Sequence, residues 1–397
     1  MTVRLKETAD LVTSCVASEA RPFVALEHLE SGMGRLAADV ELPERPTPES
    51  GAASVDPGDV LFGKLRPYLA KTWLADRPVF ASTELLCLRP RAQVDGRWLA
   101  YLVASSPVVE WAVATSDGTK MPRTSWEKLA EYRIGIPPIG DQRAVADYLD
   151  RETARIDALI ERYERLKEQL SRRLDARISR ATCAVWVGMG GALPSDWRVL
   201  PLRRCFAGVD YGIGERSQSS GPIAVLGMGN VEPRKVVGEP GGYVELLDDR
   251  LLLLPGDLLF NRTNSLVLVG KVAIWFGTDQ PTTFASYLVR LRTSSIADPR
   301  YLNYLLNTDE VLALARAMAL PSIGQANLNP NRYGSLRIPL PSLSVQRRLA
   351  SELEVEESKT EALTAKLQKQ VLLLAEHRQA LITAAVTGEL QIPRVAA

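Results

Sequence analysis

Histidine is almost missing from this sequence: His28 and His377 are the two in 397 residues. So few exclude a Ser-His-Asp triad or a histidine-built metal site as the basis of function. Cys15, Cys87, Cys183 and Cys205 lie far apart with no CxxC pair, which offers neither a disulfide framework nor a zinc ribbon, and they read as reduced packing residues. No single sign of charge prevails, because the formal net charge is only +1. If the chain binds nucleic acid, its basic residues must therefore be gathered on one face. Long hydrophobic runs are missing too. Stretches such as 251–254 fall far short of the ~20 apolar residues that span a bilayer. Residues 1–7 lack the apolar core of a signal peptide. The expectation is a soluble, cytoplasmic protein with no membrane partner.

Catalytic motifs are also lacking. There is no Walker A loop, which excludes an ATP motor, and no cluster of acids with a lysine of the kind a nuclease needs. An adenine methyltransferase would need a glycine motif for S-adenosylmethionine and an Asn/Asp-Pro-Pro-aromatic motif. Phe206-Ala207-Gly208-Val209-Asp210 and Asn329-Pro330-Asn331-Arg332-Tyr333 have the wrong residues for these roles. No catalytic residue, metal site or cofactor is expected on this chain.

What is present is length, with 46% hydrophobic residues to fill real cores, and a long helical pattern. After the proline stop Ile136-Pro137-Pro138-Ile139-Gly140, apolar residues recur at Leu149, Ile156, Leu159, Tyr163, Leu166 and Leu170, the three-four alternation of a coiled-coil seam. The stripe then drifts to Leu174, Ile178 and Ala181. About forty residues at 1.5 Å each would form a rod of roughly 60 Å, which needs a partner to pack on.

That partner is encoded in the same chain. Ile338-Pro339-Leu340-Pro341 leads to Gln346-Arg347, repeating Ile134 to Gln142-Arg143 at an offset of 204 residues (142 to 346), and the helix that follows carries Leu353, Leu363, Leu367 and Leu374. Upstream landmarks repeat in the same order. Pro255-Gly256-Asp257-Leu258-Leu259-Phe260 matches Pro57-Gly58-Asp59-Val60-Leu61-Phe62, Phe284-Ala285-Ser286 matches Phe80-Ala81-Ser82, and Tyr301-Leu302-Asn303-Tyr304-Leu305 matches Trp98-Leu99-Ala100-Tyr101-Leu102. Between landmarks the halves diverge: Gly63-Lys64-Leu65-Arg66 stands where Asn261-Arg262-Thr263-Asn264 does. Glycines 188, 190 and 191 with Pro194 and Ser195 suggest a linker.

This duplicated order resembles the specificity subunit of type I restriction-modification systems over nearly the whole chain. The segments that carry the likeness are PGDLLFNRTNSLVLVGK from Pro255 to Lys271, the two proline stops before Gln-Arg, and Ala385-Val386-Thr387-Gly388-Glu389-Leu390. The first half lacks the Asn-Arg-Thr-Asn signature. The resemblance implies an α+β chain: two mixed α/β target-recognition domains joined by two long antiparallel helices, a coiled coil, in a pseudo-two-fold internal repeat. The expected domains are 1–138, with a spacer helix 139–182, a linker 183–196, a second domain 197–340, a second spacer helix 341–390 and a tail 391–397. It further implies that the chain reads a split, asymmetric site in double-stranded DNA. Its partners would be two modification (methyltransferase) subunits, which hold S-adenosylmethionine, and a restriction subunit, which uses ATP and magnesium.

Base edges are read by forked donors and amides: Arg or Lys for guanine, Asn or Gln for adenine. In the second half such groups gather in loops, namely Arg216 and Gln218, then Asn261, Arg262 and Asn264, then Gln325, Asn327 and Asn329. In the first half the candidates are Lys64, Arg66, Lys120, Arg123 and Thr124. The bland fates are solvent exposure for any one of them, phosphate contact without sequence reading, or a turn role for Asn261 and Asn264. Gly58, Asp59, Gly256 and Asp257 read as turn residues, and Tyr211 as a wall of the core rather than a stacking platform. The competing reading of the whole chain is a coiled-coil scaffold whose globular ends bind protein, and its near-neutral charge suits that reading.

Overall fold

The computed structural model describes residues 2–13, 20–45, 52–214, 218–245, 248–322 and 324–392. The chain divides into two compact units, Met1–Arg165 with Leu367–Ala397, and Leu166–Lys366. It is a mixed α+β fold.

In the first unit, an antiparallel sheet runs in the order Ala9–Leu11, Leu85–Pro90, Val60–Gly63, Thr72–Leu74. A second sheet runs Glu44–Arg45, Arg21–Val24, Val79–Ala81, Ala53–Val55, with Phe23 beside Phe80 in a parallel pair. The strand Val60–Gly63 is central, and its side chains alternate between two cores: Val60 and Phe62 into one, Leu61 into the other. Both faces are covered, which is why the run is continuously apolar. Helix α1 (Gly96–Ala104) is capped by Asp95, whose carboxylate accepts from the Arg97 and Trp98 amides. Helix α2 (Ser106–Ala114) restarts the chain with Pro107 in its first turn. A short α3 (Trp126–Leu129) and the strand Arg133–Gly135, paired with Thr2–Arg4, lead to α4 (Ile139–Ala181).

In the second unit α4 is followed by α5 (Val185–Met189), so the glycine-rich stretch read as a linker holds a helical turn; its Val187, and Ala184 just before it, join the main core. A six-stranded sheet has the order Phe206–Tyr211, Leu288–Thr293, Leu258–Asn261, Val272–Ile274, Arg234–Val236, Val231–Glu232. Here Leu258 and Phe260 fill one core and Leu259 the other, as in the first unit. Helices α6 (Pro299–Leu306), α7 (Asp309–Met318) and α8 (Pro330–Tyr333) precede the strand Arg337–Leu340 and α9 (Leu343–Thr387).

The two long helices pack together. In the first unit, Ala146 and Leu149 of α4 share a core with Ile382, Ala385 and Val386 of α9, and buried Arg378 grips Asp157 at 2.8 Å. In the second, Leu174 and Ile178 meet Leu353 and Tyr304. Early turns of one helix thus meet late turns of the other, so they run antiparallel.

Burial along each helix corrects part of the stripe expected from the sequence. Leu149, Ile156, Leu353 and Leu367 are buried and Tyr163, Leu170 and Leu374 half-buried, but Leu159, Leu166 and Leu363 are exposed, at 41%, 38% and 43%. The inward positions between them are Thr153 and Ile160 on α4, and Glu357, Thr360 and Thr364 on α9. Polar residues stand in the inward register, while leucines stand one position off it. His377 is likewise exposed, and Arg378 takes the buried place.

Repeated sequence landmarks carry repeated bonds. Gln142 accepts from the Asp95 amide at 2.8 Å and donates to the carbonyls of Gln93 and Pro137 at 3.0 and 2.9 Å. Gln346 makes the same three bonds to Asp298, Ile296 and Pro341 at 2.8, 3.0 and 2.9 Å. Asp59 holds Arg89 through two bonds as Asp257 holds Arg292. The Gly-Asp turns are therefore structural, with Gly58 and Gly256 both at φ 94°, and their aspartates also neutralise an arginine.

Candidate nucleic-acid interface

In the second unit, the segment after the central strand crosses to a small sheet. Thr263 pairs with Asn327 and Asn264 with Ala326, while the Leu328 amide donates to the Arg262 carbonyl at 2.8 Å. Two loops 64 residues apart in sequence are thus brought side by side, with Thr263 Oγ1 donating to Asn327 Oδ1. The strand Phe206–Tyr211 delivers Tyr211 to the same place. Beyond it Gly212 passes so close to the neighbouring chain that a Cβ there would lie 2.3 Å from the carbonyl oxygens of Phe284 and Ala285. The guanidinium of Arg262 lies over the Tyr211 ring, 5.2 Å from its centre. Tyr211 is 50% exposed, so it is a platform at the surface and not a wall of the core.

The other candidates of this unit divide by burial. Gln325 and Gln218 are exposed, and Gln218 is tied through its backbone to Tyr243. Asn264 and Asn327 are half-buried, the former accepting from the Ser265 amide. Asn329 caps α8, accepting from the Asn331 and Arg332 amides. Asn261 is fully buried: its side-chain nitrogen points to the Met228 carbonyl at 3.5 Å, and its oxygen has no partner among the described residues. It is a core residue at the end of its strand. Arg216 lies outside the described residues.

The first unit builds the same frame from unlike residues. The Lys64 amide donates to the Glu84 carbonyl as Arg262 does to Tyr287, the Thr124 amide donates to the Lys64 carbonyl as Leu328 does to Arg262, and Leu65 bridges to Arg123 as Thr263 pairs with Asn327. Lys64, Arg66, Arg123 and Thr124 are therefore brought together, with Lys120 exposed on the adjoining loop. Thr124 is buried and presents no side chain to a ligand. Lys64 is half-buried and donates to the Thr83 carbonyl at 2.7 Å. Burial, and then the charge of Arg123, hold its ammonium below the usual lysine range. Arg123 is paired with Glu84 at 2.8 Å. Arg66, in a left-handed backbone at φ 51°, and Lys120 are exposed with no ion pair among the described residues. Those two are the cations of this face that are free to meet an anion.

Exposed aromatic residues beside each frame were not singled out from the sequence: Tyr68 at 52% and Tyr287 at 45%. Tyr287 follows Phe284-Ala285-Ser286, so its place was legible, whereas its exposure required the fold. Among the described residues no group of His, Cys, Asp and Glu could hold a metal, and no helix is long and apolar enough to cross a membrane. Cys87 and Cys205 are free and buried, and burial pushes the Cys205 thiol up to about 12, away from the thiolate form. Cys15 lies outside the described residues.

No protein-family model matches the chain. Over 198 residues it is 26% identical to the putative type I restriction enzyme MjaX specificity subunit of Methanocaldococcus jannaschii, a match that spans 48% of this chain and less than half, 46%, of that protein. Over 390 residues it is 21% identical to the type I restriction enzyme EcoKI specificity subunit of Escherichia coli K12, covering 93% of this chain and 82% of that one. Among solved structures, a chain from a study of assembly and conformational transition of the type I R-M system superimposes with a TM-score of 0.72 at 20% identity, covering 98% of both chains. The HsdS subunit from Thermoanaerobacter tengcongensis does so with a TM-score of 0.52 at 20% identity, covering 98% of this chain and 97% of that one. By sequence this chain is similar to specificity subunits of type I restriction enzymes, and it has their fold.

Proposed function

We propose that the chain is the sequence-specific DNA-recognition subunit of a type I restriction-modification complex, with each unit reading one half of a bipartite, asymmetric site. The observation that carries this reading is one backbone frame used twice with different side chains. Lys64, Arg66 and Arg123 occupy in one unit the frame that Arg262, Asn264 and Asn327 occupy in the other. Unlike readers on a common frame give a site without the palindrome that identical ones impose. Phosphate contacts would set the register, and base edges would be read by the exposed forked groups.

The remaining roles follow from the same reading. The long helices act as a spacer and dock two methyltransferase subunits, with a restriction subunit joining for cleavage. Catalysis belongs to those partners: S-adenosylmethionine on the methyltransferase, ATP and magnesium on the restriction subunit, and none of them on this chain. The complex would act in the cytoplasm.

Mapping methylated adenines in DNA exposed to the complex tests the proposal: a two-part motif with an unread gap is the expected result. The scaffold alternative draws on the +1 net charge and on side chains spent internally, such as Lys64 and Arg123. The two separate on salt. A DNA-reading complex loses affinity linearly in log salt, with a slope near −0.9 per phosphate contacted, whereas a scaffold shifts no duplex at any salt.

A further inference from the structure

Three arginines of the second unit's six-stranded sheet and one of a neighbouring loop are held by carboxylates, and Arg262 is not. Arg290 is held by Asp210, Arg292 by Asp257, Arg250 by Asp248 and Arg234 by Glu357. Arg262 has no carboxylate among the described residues. Its Nε is buried without an acceptor, and one terminal nitrogen lies 3.4 Å from the Ser286 carbonyl. A half-buried cation has given up part of its hydration, and the ring of Tyr211 replaces only some of it. An aromatic face also fixes the plane of a guanidinium, so the terminal fork is set before any ligand arrives.

We propose that Arg262, seated on Tyr211, is the guanine-specifying residue of the second unit, its fork donating to O6 and N7 of one guanine in the major groove, and that Tyr211 is its positioning residue. This rests on the reading of the chain as a DNA-recognition subunit and names what one of its side chains recognises. Gly212 belongs to the same device, since only a residue without a Cβ lets the chain leaving Tyr211 pass the Phe284 and Ala285 carbonyls. The first unit has no copy of it: the equivalent residue is Lys64, a point charge without a planar fork, which donates to the Thr83 carbonyl at 2.7 Å. The two units therefore differ in the base they specify at this place in the frame.

The test is selection of bound duplexes from a randomised library by the full chain assembled with its methyltransferase subunits. Wild type would be compared with Arg262→Gln, Arg262→Lys, Tyr211→Phe and Tyr211→Leu. Wild type is expected to select a guanine at one position of one half-site, and Arg262→Gln to weaken that preference roughly ten- to a hundredfold while every other position stays as it was. Arg262→Lys keeps the charge but not the planar fork, so binding to duplexes without the guanine is kept while the preference for guanine falls part of the way towards that of Arg262→Gln. Tyr211→Phe behaves as wild type, and Tyr211→Leu loses part of the preference at that same base pair, an effect that general loosening of the fold would not confine to one position. The lysine and leucine variants decide the matter even if Arg262→Gln fails to assemble. A wild-type half-site without guanine overturns the inference. So does a uniform loss over all sequences with a salt slope reduced by about one, which would make Arg262 a phosphate contact. If wild type enriches no sequence, the recognition function has itself failed. A normal wild-type motif that ignores Arg262 sinks this inference alone.

Discussion

Single residues in this chain divide by what their polar atoms already hold. Gln346 is fully buried and makes three hydrogen bonds that join the stop before α9 to the start of α6 and to the chain just before it. Gln346→Ala would strand the Asp298 amide and the carbonyls of Ile296 and Pro341 in a dry site. At about 1–3 kcal/mol for each buried group left unpaired, a loss of about 3 kcal/mol or more is expected, measured by urea unfolding as an earlier transition of the second unit. The pair Gln-Arg was visible in the sequence as a repeated motif, but its role was not, because two of the glutamine's three partners lie 48 and 50 residues upstream. Candidates for base contact show the same limit. Residue type suggested Asn261 and Thr124, and the structure buries both, one at a strand end and one where the chain crosses beside Lys64. Type alone could not say that Tyr211 is exposed and Arg262 unpaired.

Whole elements were more legible than their faces. Prolines, the Gln-Arg start and the apolar stripe located α4 and α9 within a few residues of Ile139–Ala181 and Leu343–Thr387. Which side of each helix faces inward was harder to see, because the inward register includes Thr153, Glu357, Thr360 and Thr364, which an apolar pattern skips. The leucines so displaced now make a prediction of their own. Leu363 is exposed and Leu367 is 8% exposed. Leu363→Glu should leave stability within about 0.5 kcal/mol of wild type, as surface changes do, and Leu367→Glu should cost roughly 2–4 kcal/mol by burying an unpaired charge. Thermal melts check both. If exposed leucines serve partner docking, Leu363→Glu also loses methyltransferase subunits in gel filtration while its own melt is unchanged. A coupled loss of fold and assembly would instead place Leu363 in the packed register.

At the scale of the molecule, the repeat separates what must stay the same from what can vary. The bonds of Gln142 and Gln346, and those of Asp59 and Asp257, recur because each unit needs its sheet and helix joined in the same way. The loops that lie on that frame are under no such demand, which is why the sequence halves drift apart between landmarks. One consequence can be tested without knowing the target. Replacing the stretch 206–333 with the corresponding stretch of a specificity subunit that reads a different motif keeps α4, α9 and their Gln-Arg anchors. Only one half of the methylated motif should then change, with the other half and the number of unread base pairs preserved, as genome-wide methylation mapping would report. The reasoning is that reading energy arises locally, at roughly 1–3 kcal/mol per well-made base contact, and that sites far apart with no shared partners contribute additively. A chimera that altered both halves together, or shifted the gap, would show that recognition is distributed over the chain, and the proposal of one reader per half-site would fall.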